Sequence, residues 1–193
     1  MAFATKSELR RSLRKARRDH VAAQPASIRA LLFKRPPGPL LELIAEDAVI
    51  ALYHAAPDEA PAASYARFFF ERGHRIALPR FSDAGSAMTF AVHEDPIGES
   101  DLVEGAFGLK QPRDDAPLIE PDCLVMPLIG FTARGERLGQ GGGHYDTWLA
   151  AHPGKVRIGL AWDVQLVDSL PVEPHDQPLN AIVTPTRMFG PFA

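Results

Sequence analysis

The order of apolar and polar positions along the chain predicts helices that alternate with short, wholly apolar strands. Apolar residues recur at helical spacing over 5–22 and over 62–72, and in the second segment Tyr65, Phe68 and Phe69 share one side. Shorter apolar runs predict buried strands at 48–53, 75–78, 88–92, 123–126, 156–162 and 181–184. Such interleaving favours a layered α/β/α fold with a largely parallel central sheet. We expect the 193 residues to form a single domain of this kind.

Local signals refine the ends of these elements. Thr5 followed by Glu8 forms a capping box, which opens the first helix. Two shorter helical stretches, over 27–35 and 40–46, flank a proline-rich break. The segment 95–121 has no sustained periodicity, so we expect it to be mostly loop.

Composition is that of an ordinary globular protein and argues against several other classes. The chain is 46% hydrophobic and 23% charged, and no apolar run approaches the ~20 residues of a membrane helix. The basic N-terminus has no apolar stretch behind it, unlike a secretory signal. The one cysteine, Cys123, lies in an apolar run and is expected to be a buried core residue. These features favour a cytoplasmic protein without a membrane partner.

Positive charge is concentrated in the first helix. Between residues 1 and 20, seven cations face two carboxylates, a net charge of +5; the whole chain carries −3, so the remainder carries −8. Lys6, Arg10, Arg14 and Arg17 recur along one side of this helix. The asymmetry indicates an anionic ligand for this side, although a solvated helix face is the alternative that charge alone leaves open.

The segment 137–146 is the strongest functional signal in the chain. It holds four glycines within five positions: Gly139, Gly141, Gly142 and Gly143. Such a run suits a place where the backbone needs positive φ or touches a ligand. An apolar run at 123–126 precedes it and a helical pattern over 144–152 follows, an order that directs free backbone N–H groups at an anion. Arg137 adds a cation at the entrance, and Asp146 falls in the first helical turn.

The glycine segment taken alone leaves a plainer alternative open. It matches neither G-x-x-x-x-G-K-[ST] nor G-x-G-x-x-G, because His144 stands at the last glycine position of the second pattern. A tight turn or a flexible connector would have the same composition. On its pattern alone, a phosphate-binding loop is therefore a prediction of moderate specificity.

Longer motifs resemble those of a known family. The segment 126–146, M-P-L-I-G-F-T-A-R-G-E-R-L-G-Q-G-G-G-H-Y-D, closely resembles the signature of 5-formyltetrahydrofolate cyclo-ligases, also called methenyltetrahydrofolate synthetases. Three other segments resemble further motifs of that family, in the same order along the chain: K-S-E-L-R from Lys6, F-G-L-K-Q-P from Phe107 and H-D-Q-P-L from His175. Glu59, after the strand predicted over 48–53, is similar to the family's folate-contacting acidic position.

The resemblance implies an enzyme that uses ATP and Mg²⁺ to cyclise 5-formyltetrahydrofolate to 5,10-methenyltetrahydrofolate, releasing ADP and phosphate. In that family the formyl oxygen is thought to attack the γ-phosphate, and a neighbouring nitrogen then closes the ring as phosphate leaves. Phosphoryl transfer needs positioning and charge neutralisation more than covalent help from the protein. ATP and a reduced folate are therefore the expected small-molecule partners, with Mg²⁺ as the cofactor.

Family positions carry over to particular residues of this sequence. The resemblance implies catalytic roles for Arg137, Tyr145 and Asp146 and magnesium ligation by Asp146 and Asp176. It implies contacts with the folate substrate from His54, Glu59, Phe107, Gln140 and His144. It implies contacts with ATP from the basic helix and the glycine segment, namely Lys6, Arg10, Arg137, Gly139, Gln140, Gly141, Gly142, Gly143, His144 and Tyr145.

Two other classes of function remain as alternatives. A family relative that binds nucleotide or folate without this activity, or acts on another substrate, would differ in the pocket of His54, Glu59, Phe107 and His144. The chain departs from the family pattern at several positions: His144 replaces a usual aromatic residue, Gln140 a common aromatic or basic one, and Asn180 a frequent acidic one. Ala60 and Pro61 stand in place of the usual apolar residue after Glu59. A nucleic-acid binder is disfavoured, because the basic charge is confined to one helix and the chain is net acidic. The sequence does not define the oligomeric state.

Overall fold

A computed structural model describes residues 5–29 and 31–192 of the chain. Its helices are α1 Lys6–Ala22, α2 Ala26–Arg29, α3 Gly38–Leu41, α4 Ala63–Phe70, α5 His144–Ala151 and a short 3-10 helix at Asp163–Gln165. Its strands are β1 Ile50–Ala51, β2 Ile76–Arg80, β3 Thr89–Val92, β4 Leu102–Glu104, β5 Lys110–Pro112, β6 Cys123–Pro127, β7 Gly130–Phe131, β8 Arg137–Leu138, β9 Val156–Leu160, β10 Ala181–Val183 and β11 Met188–Phe189.

Seven of these strands form one sheet in the order β11-β10-β9-β6-β1-β2-β3. The inner pairings, from β10 across to β2, are all parallel. The two edge strands, β11 and β3, pair antiparallel with their neighbours. The predicted α/β fold with a largely parallel sheet is therefore confirmed. Because the carboxyl ends of parallel strands meet at one edge of the sheet, the segments after β1, β2 and β6 converge there.

Helices cover both faces of the sheet. Side chains alternate along each strand, so Ile50 and Val125 pack in one core cluster with Phe69 of α4. Leu124, beside Val125, points the other way and packs in a second cluster with Trp148 of α5. Burial on both faces explains why the strands read as continuous apolar runs. The three layers agree with the predicted α/β/α arrangement.

Helix α1 is fixed at its start and along its apolar side. In the predicted capping box, Glu8 N–H donates to Thr5 Oγ1 at 3.2 Å, and Thr5 N–H donates to Glu8 Oε2 at 2.8 Å. Leu13 packs with Ile129 and Leu138 in a small separate cluster. This packing holds the basic helix against the chain that leads into the glycine segment.

Several elements differ from their predicted extents. Among the described residues, the helical stretches predicted over 27–35 and 40–46 overlap only the short helices α2 and α3. Pro36 disfavours helical backbone at residue 35, the predicted end of the first stretch, and Pro39 lies in the first turn of α3, where proline is tolerated. The strand predicted over 48–53 pairs only as β1. The segment 95–121 contains the hairpin β4–β5, whose three-residue strands are too short to show a period.

The glycine segment does not follow β6 directly. A second hairpin, β7–β8, intervenes and pairs Gly130 with Leu138 and Phe131 with Arg137. Strands of two residues carry no readable alternation, so the sequence did not reveal this hairpin. Two other expectations are confirmed: Cys123 is a free, buried cysteine, and Asp146 lies in the first turn of α5. Of the helices in the described part of the chain, none has the length and apolar character required to cross a membrane.

Candidate active site

A cavity of about 710 Å³ opens at the carboxyl ends of β1, β2 and β6. Open parallel sheets bind ligands at this edge. Every residue that the sequence predicted for binding or catalysis lines this cavity: Lys6, Arg10, His54, Glu59, Phe107, Arg137, Gly139, Gln140, Gly141, Gly142, Gly143, His144, Tyr145, Asp146 and Asp176. Residues separated by up to 170 positions are thus brought together, while the ligand that each one binds remains a prediction.

The glycine loop, residues 139–143, has the backbone that its composition predicts. Gly141 has φ +113° and Gly143 has φ +68°, both in the left-handed region that side chains disfavour. Gly143 is the N-cap of α5, and no side chain caps this end. The first N–H groups of α5 therefore have no capping partner from a side chain, as an anion site at a helix start requires.

The basic side of α1 contacts the glycine loop. Arg10 Nε donates to the carbonyl of Gly139 at 2.9 Å, and Arg14 Nη2 donates to the carbonyl of Gln140 at 2.7 Å. Arg17, further along the same side, is only 4% exposed. These contacts contradict a solvated helix face, because three of the four aligned cations hold other parts of the protein.

Lys6 is the fourth of these cations, and it binds the C-terminal segment. Its Nζ donates to Asp176 Oδ2 at 2.7 Å and also contacts Glu173. Burial alone would lower the pKa of Lys6, but the hydrogen bonds to Asp176 and Glu173 outweigh it and raise the pKa. Burial is the largest single influence on Asp176 and would raise its pKa, but the Lys6 hydrogen bond, the Glu173 N–H hydrogen bond and the neighbouring positive charge together lower it. Both groups are therefore held in their charged forms.

Arg137 and Asp146 form a second ion pair beside the loop. Arg137 Nη2 donates to Asp146 Oδ1 at 2.6 Å, and the Arg137 side chain is only 4% exposed. Two buried polar atoms here have no hydrogen-bond partner among the described residues, Arg137 Nε and the hydroxyl of Tyr145. Buried donors without partners are uncommon, so they mark a place where a ligand can accept hydrogen bonds.

Oxygen ligands for a divalent cation lie close to these ion pairs. Asp146 Oδ1 accepts from Arg137 and from Gln177 N–H, and Asp146 Oδ2 accepts no hydrogen bond from the described residues. Glu173, His175 and Asp176 each offer a ligand atom, all within 4.8 Å of one another. Carboxylate oxygens are the ligands that Mg²⁺ prefers, so the carboxylates of Asp146, Glu173 and Asp176 fit that ion, whereas His175 offers a nitrogen.

The other end of the cavity is built around a buried carboxylate, Glu59. Its Oε2 accepts from Ala56 N–H at 2.9 Å, and its Oε1 accepts from Gln140 Nε2 at 2.7 Å. Arg17 Nη1 lies 3.7 Å from Oε1, and Arg17 Nε donates to Asp58 Oδ2 at 3.1 Å. Burial is the largest influence on Glu59 and raises the pKa of its carboxyl, against the lowering effect of these donors.

Aromatic rings form the wall beside Glu59. Phe81 lies 4.9 Å from Phe107 and 4.9 Å from His144, measured between ring centroids. Phe107 sits in the turn of the hairpin β4–β5 and is half exposed. His54 completes this wall, and its buried Nδ1 has no partner among the described residues. A flat, partly polar ring system fits such a wall, since aromatic rings stack or meet edge to face.

Sequence reasoning missed three residues of this site. Phe81 directly follows β2, and its place after a predicted strand was the available signal. Arg17 was noted for its spacing alone, and no pattern indicated its burial against Asp58 and Glu59. Glu173 lies two residues before the motif that begins at His175, so the motif did not include it.

Comparisons with known proteins give one consistent result. The model of the 5-formyltetrahydrofolate cyclo-ligase family matches residues 2–185. A 5-formyltetrahydrofolate cyclo-ligase of Mycolicibacterium smegmatis is 28% identical over 97% of both chains. The same-named protein of Escherichia coli K12 is 37% identical over 61% of this chain and 66% of that protein, so the chain aligns with just under two thirds of it.

Solved structures show the same likeness of fold. The NMR structure of the Aquifex aeolicus 5,10-methenyltetrahydrofolate synthetase has a TM-score of 0.76 at 23% identity, over 96% of this chain and 92% of that one. The 5,10-methenyltetrahydrofolate synthetase of Mycoplasma pneumoniae has a TM-score of 0.65 at 25% identity, over 93% and 98% of the two chains. Sequence and fold therefore point to one family.

Proposed function

We propose that this chain, which belongs to the 5-formyltetrahydrofolate cyclo-ligase family, is an enzyme that converts 5-formyltetrahydrofolate to 5,10-methenyltetrahydrofolate with ATP. The observation that carries this proposal is the single cavity with two chemically different ends. One, the loop end, combines the glycine loop with Lys6, Arg10 and Arg137. The other, the folate end, combines Glu59 with the aromatic wall.

The loop end suits a polyphosphate. The N–H groups at the start of α5 and the unpaired Arg137 Nε supply donors, and Lys6 and Arg10 supply positive charge. We assign Tyr145 to the same task, because its buried hydroxyl has no partner among the described residues. Fixed donors of this kind stabilise the charge that spreads over the transferring phosphoryl group.

The folate end suits a pterin ring. Glu59 accepts hydrogen bonds from ring N–H groups, and Phe81, Phe107 and His144 hold the ring by apolar contact. With the ring fixed there, the formyl oxygen attacks the γ-phosphate at the loop end, and the P–O bond to ADP breaks. The neighbouring N–H nitrogen then attacks the activated carbon and gives up its proton to the departing phosphate, and the bond between that carbon and the phosphate oxygen breaks. The chain contributes position and charge to both steps.

We assign magnesium to Asp146 and Asp176, and it would neutralise charge on the bound ATP. Both carboxylates already carry a cation of the protein, Arg137 and Lys6 respectively. If these carboxylates held magnesium, Arg137 and Lys6 would be free to contact the phosphates. We also propose a cytoplasmic setting, which the one buried free thiol supports.

The test is to follow methenyltetrahydrofolate absorbance with purified protein, 5-formyltetrahydrofolate, ATP and Mg²⁺. Product is expected with the complete mixture and none above background when ATP is left out or a chelator is present. Product formed at full rate without ATP would reject the assignment. If the protein bound both ATP and 5-formyltetrahydrofolate without forming product, the result would instead favour the alternative that this chain is a family relative without the cyclo-ligase activity.

A further inference from the structure

The side chain of Gln140 connects the two ends of the cavity. Its Nε2 donates a 2.7 Å hydrogen bond to Oε1 of Glu59, across 81 residues of sequence. Its backbone belongs to the glycine loop, beside Gly141 with φ +113°. One side chain thus ties the loop proposed to hold phosphate to the carboxylate proposed to hold folate.

Arg14 determines which way the Gln140 amide faces. Arg14 Nη2 donates to the Gln140 carbonyl at 2.7 Å and to its side-chain Oε1 at 3.2 Å. A guanidinium is a donor only, so Oε1 has to face Arg14 and Nε2 has to face Glu59. The chain of contacts from Arg14 through Gln140 to Glu59 therefore runs consistently from donor to acceptor.

Glu59 is nearly buried, and a ligand that reaches its Oε1 from the cavity meets the Gln140 amide already bound there. The residue is 8% exposed, its Oε2 accepts from Ala56 N–H, and its Oε1 accepts from Gln140. Arg17 stays in place because it is buried and also bound to Asp58. Gln140 is the partner that can leave, because it is attached to a glycine-rich loop at the cavity surface.

We infer that Gln140 is a positioning residue that couples folate binding to nucleotide binding. A reduced folate that donates N–H groups to Glu59 displaces the Gln140 amide, and the glycine loop then keeps its backbone contacts with Arg10 and Arg14 but loses its tether to Glu59, which leaves it less restrained when a polyphosphate binds. Because coupling between two sites is reciprocal, a nucleotide that draws the loop away from Glu59 strengthens folate binding by the same factor. This inference rests on the proposed function, which assigns folate to Glu59.

The variant Gln140→Met tests the coupling, because methionine keeps the length of the side chain and removes both amide hydrogen bonds. Calorimetry gives the Kd of 5-formyltetrahydrofolate without nucleotide and with saturating magnesium and a non-hydrolysable ATP analogue. In the wild type, the nucleotide should tighten folate binding by about fivefold or more. Gln140→Met should bind folate about fivefold more tightly without nucleotide, and the nucleotide should then add almost nothing.

Gln24→Met is the matched control. Gln24 lies outside the cavity and bonds to His20 on α1, so this variant should keep the coupling of the wild type. A folate Kd in Gln140→Met that is unchanged or weaker, with wild-type turnover normal, overturns the coupling and leaves the proposed function standing. A wild type that binds no folate rejects both.

Hydrogen exchange tests the tether without any ligand. Backbone amides of residues 139–143 should exchange faster in free Gln140→Met than in the free wild type, because the side chain no longer holds the loop to Glu59. Adding folate alone to the wild type should raise their exchange toward that of the variant. Equal exchange rates in the two free proteins would show that the contact does not hold the loop, and the inference would fail.

Discussion

The two ends of the cavity hold their charges in different ways. At the loop end, Lys6 pairs with Asp176, and these side chains are 20% and 19% exposed. At the folate end, Arg17 and Glu59 are 5% and 7% exposed, and each has further hydrogen-bond partners of its own. The first pair is partly exposed to water, although Arg137 in the second ion pair of the loop end is only 4% exposed. The Arg17–Glu59 pair is fixed by burial, because a buried charge left without a partner costs several kcal/mol.

Because of this difference, the two ends of the cavity suit different kinds of ligand. A partly exposed ion pair such as Lys6–Asp176 suits ligands that bring their own charges, such as a polyphosphate with its metal ion. A buried carboxylate suits a neutral ring that offers N–H donors, since no charge has to be neutralised. Substitutions that affect one end while sparing the other therefore test whether the division is real.

The largest effect is expected from Gly141→Val, which should abolish turnover. A side chain at φ +113° is strained, and it would also press on Arg10, whose guanidinium lies 3.6 Å from the position of the added Cβ. Gly154→Val is the control, because Gly154 has φ +83°, open space around it and no place in the cavity. Both variants should lose similar thermal stability, and only Gly141→Val should lose activity. Equal activity losses would show that strain alone is responsible.

Asp146→Asn should remove most of the thermal stabilisation that Mg-ATP gives. Asparagine keeps the size of the side chain but loses the charge that pairs with Arg137 at 2.6 Å, so the free protein should also lose about 1.5–3 kcal/mol. The informative quantity is the melting shift on adding Mg-ATP, because ligand stabilisation grows with the logarithm of ligand concentration over Kd. If the melting shift on adding Mg-ATP were undiminished, Asp146 would not be a ligand of the metal.

Lys6→Ala and Arg10→Ala should each weaken ATP binding and leave folate binding nearly intact. Losing a charge-assisted contact costs about 1.5–3 kcal/mol, roughly ten- to a hundredfold in affinity by calorimetry. Lys15→Ala on the same helix is the control, because Lys15 is exposed and, within the part of the chain that the structure describes, pairs only with Asp19 one turn away. If Lys6→Ala weakened folate as much as ATP, the two ends would not be separate.

Glu59→Gln should give the opposite pattern. It keeps the size of the side chain, removes the charged acceptor, and should weaken folate binding by roughly tenfold. ATP binding should not weaken, because Glu59 lies at the folate end. Calorimetry with each ligand separately checks this, and a loss confined to ATP would reverse the assignment of the two ends.

The smallest effect is the acid sensitivity of the Lys6–Asp176 pair. The pKa of Asp176 lies below its ordinary value of 3.8, so the pair stabilises the fold above that value and stops doing so as pH falls through the folded pKa. Between about pH 5 and pH 3, the melting temperature should therefore fall more in the wild type than in Asp176→Asn. Parallel falls in the two proteins would mean that this pair adds nothing to stability.

Elements with a strong local cause could be predicted from the sequence. The capping box of Thr5 and Glu8 and the buried strand β6 depend on neighbouring residues, and the structure contains both. The glycine loop was recognisable because positive φ demands glycine at Gly141 and Gly143. The hairpins β4–β5 and β7–β8 were not, since their strands have two or three residues and their pairing is set by tertiary contacts.

The members of the candidate site could be predicted from the sequence, but the contacts between them could not. Its residues were found through family motifs, and they line one cavity. Their mutual contacts were not readable, because they join distant segments: Gln140 with Glu59, and Lys6 with Asp176. Asp146 and Asp176 were expected as metal ligands, yet no pattern indicated that each already carries a cation of the protein.

The position of α1 also has a consequence for how the molecule is made. On the ribosome this helix emerges before its partners, and they follow at different distances: Asp58 is 41 residues from Arg17, and Asp176 is 170 residues from Lys6. Arg17 can therefore pair while the chain is still being made, whereas Lys6 lacks Asp176 until the C-terminal segment has left the exit tunnel. Contacts so distant in sequence form late and slow the final step of folding. A nascent chain stalled before Asp176 would hold most of the sheet but would lack a finished catalytic centre.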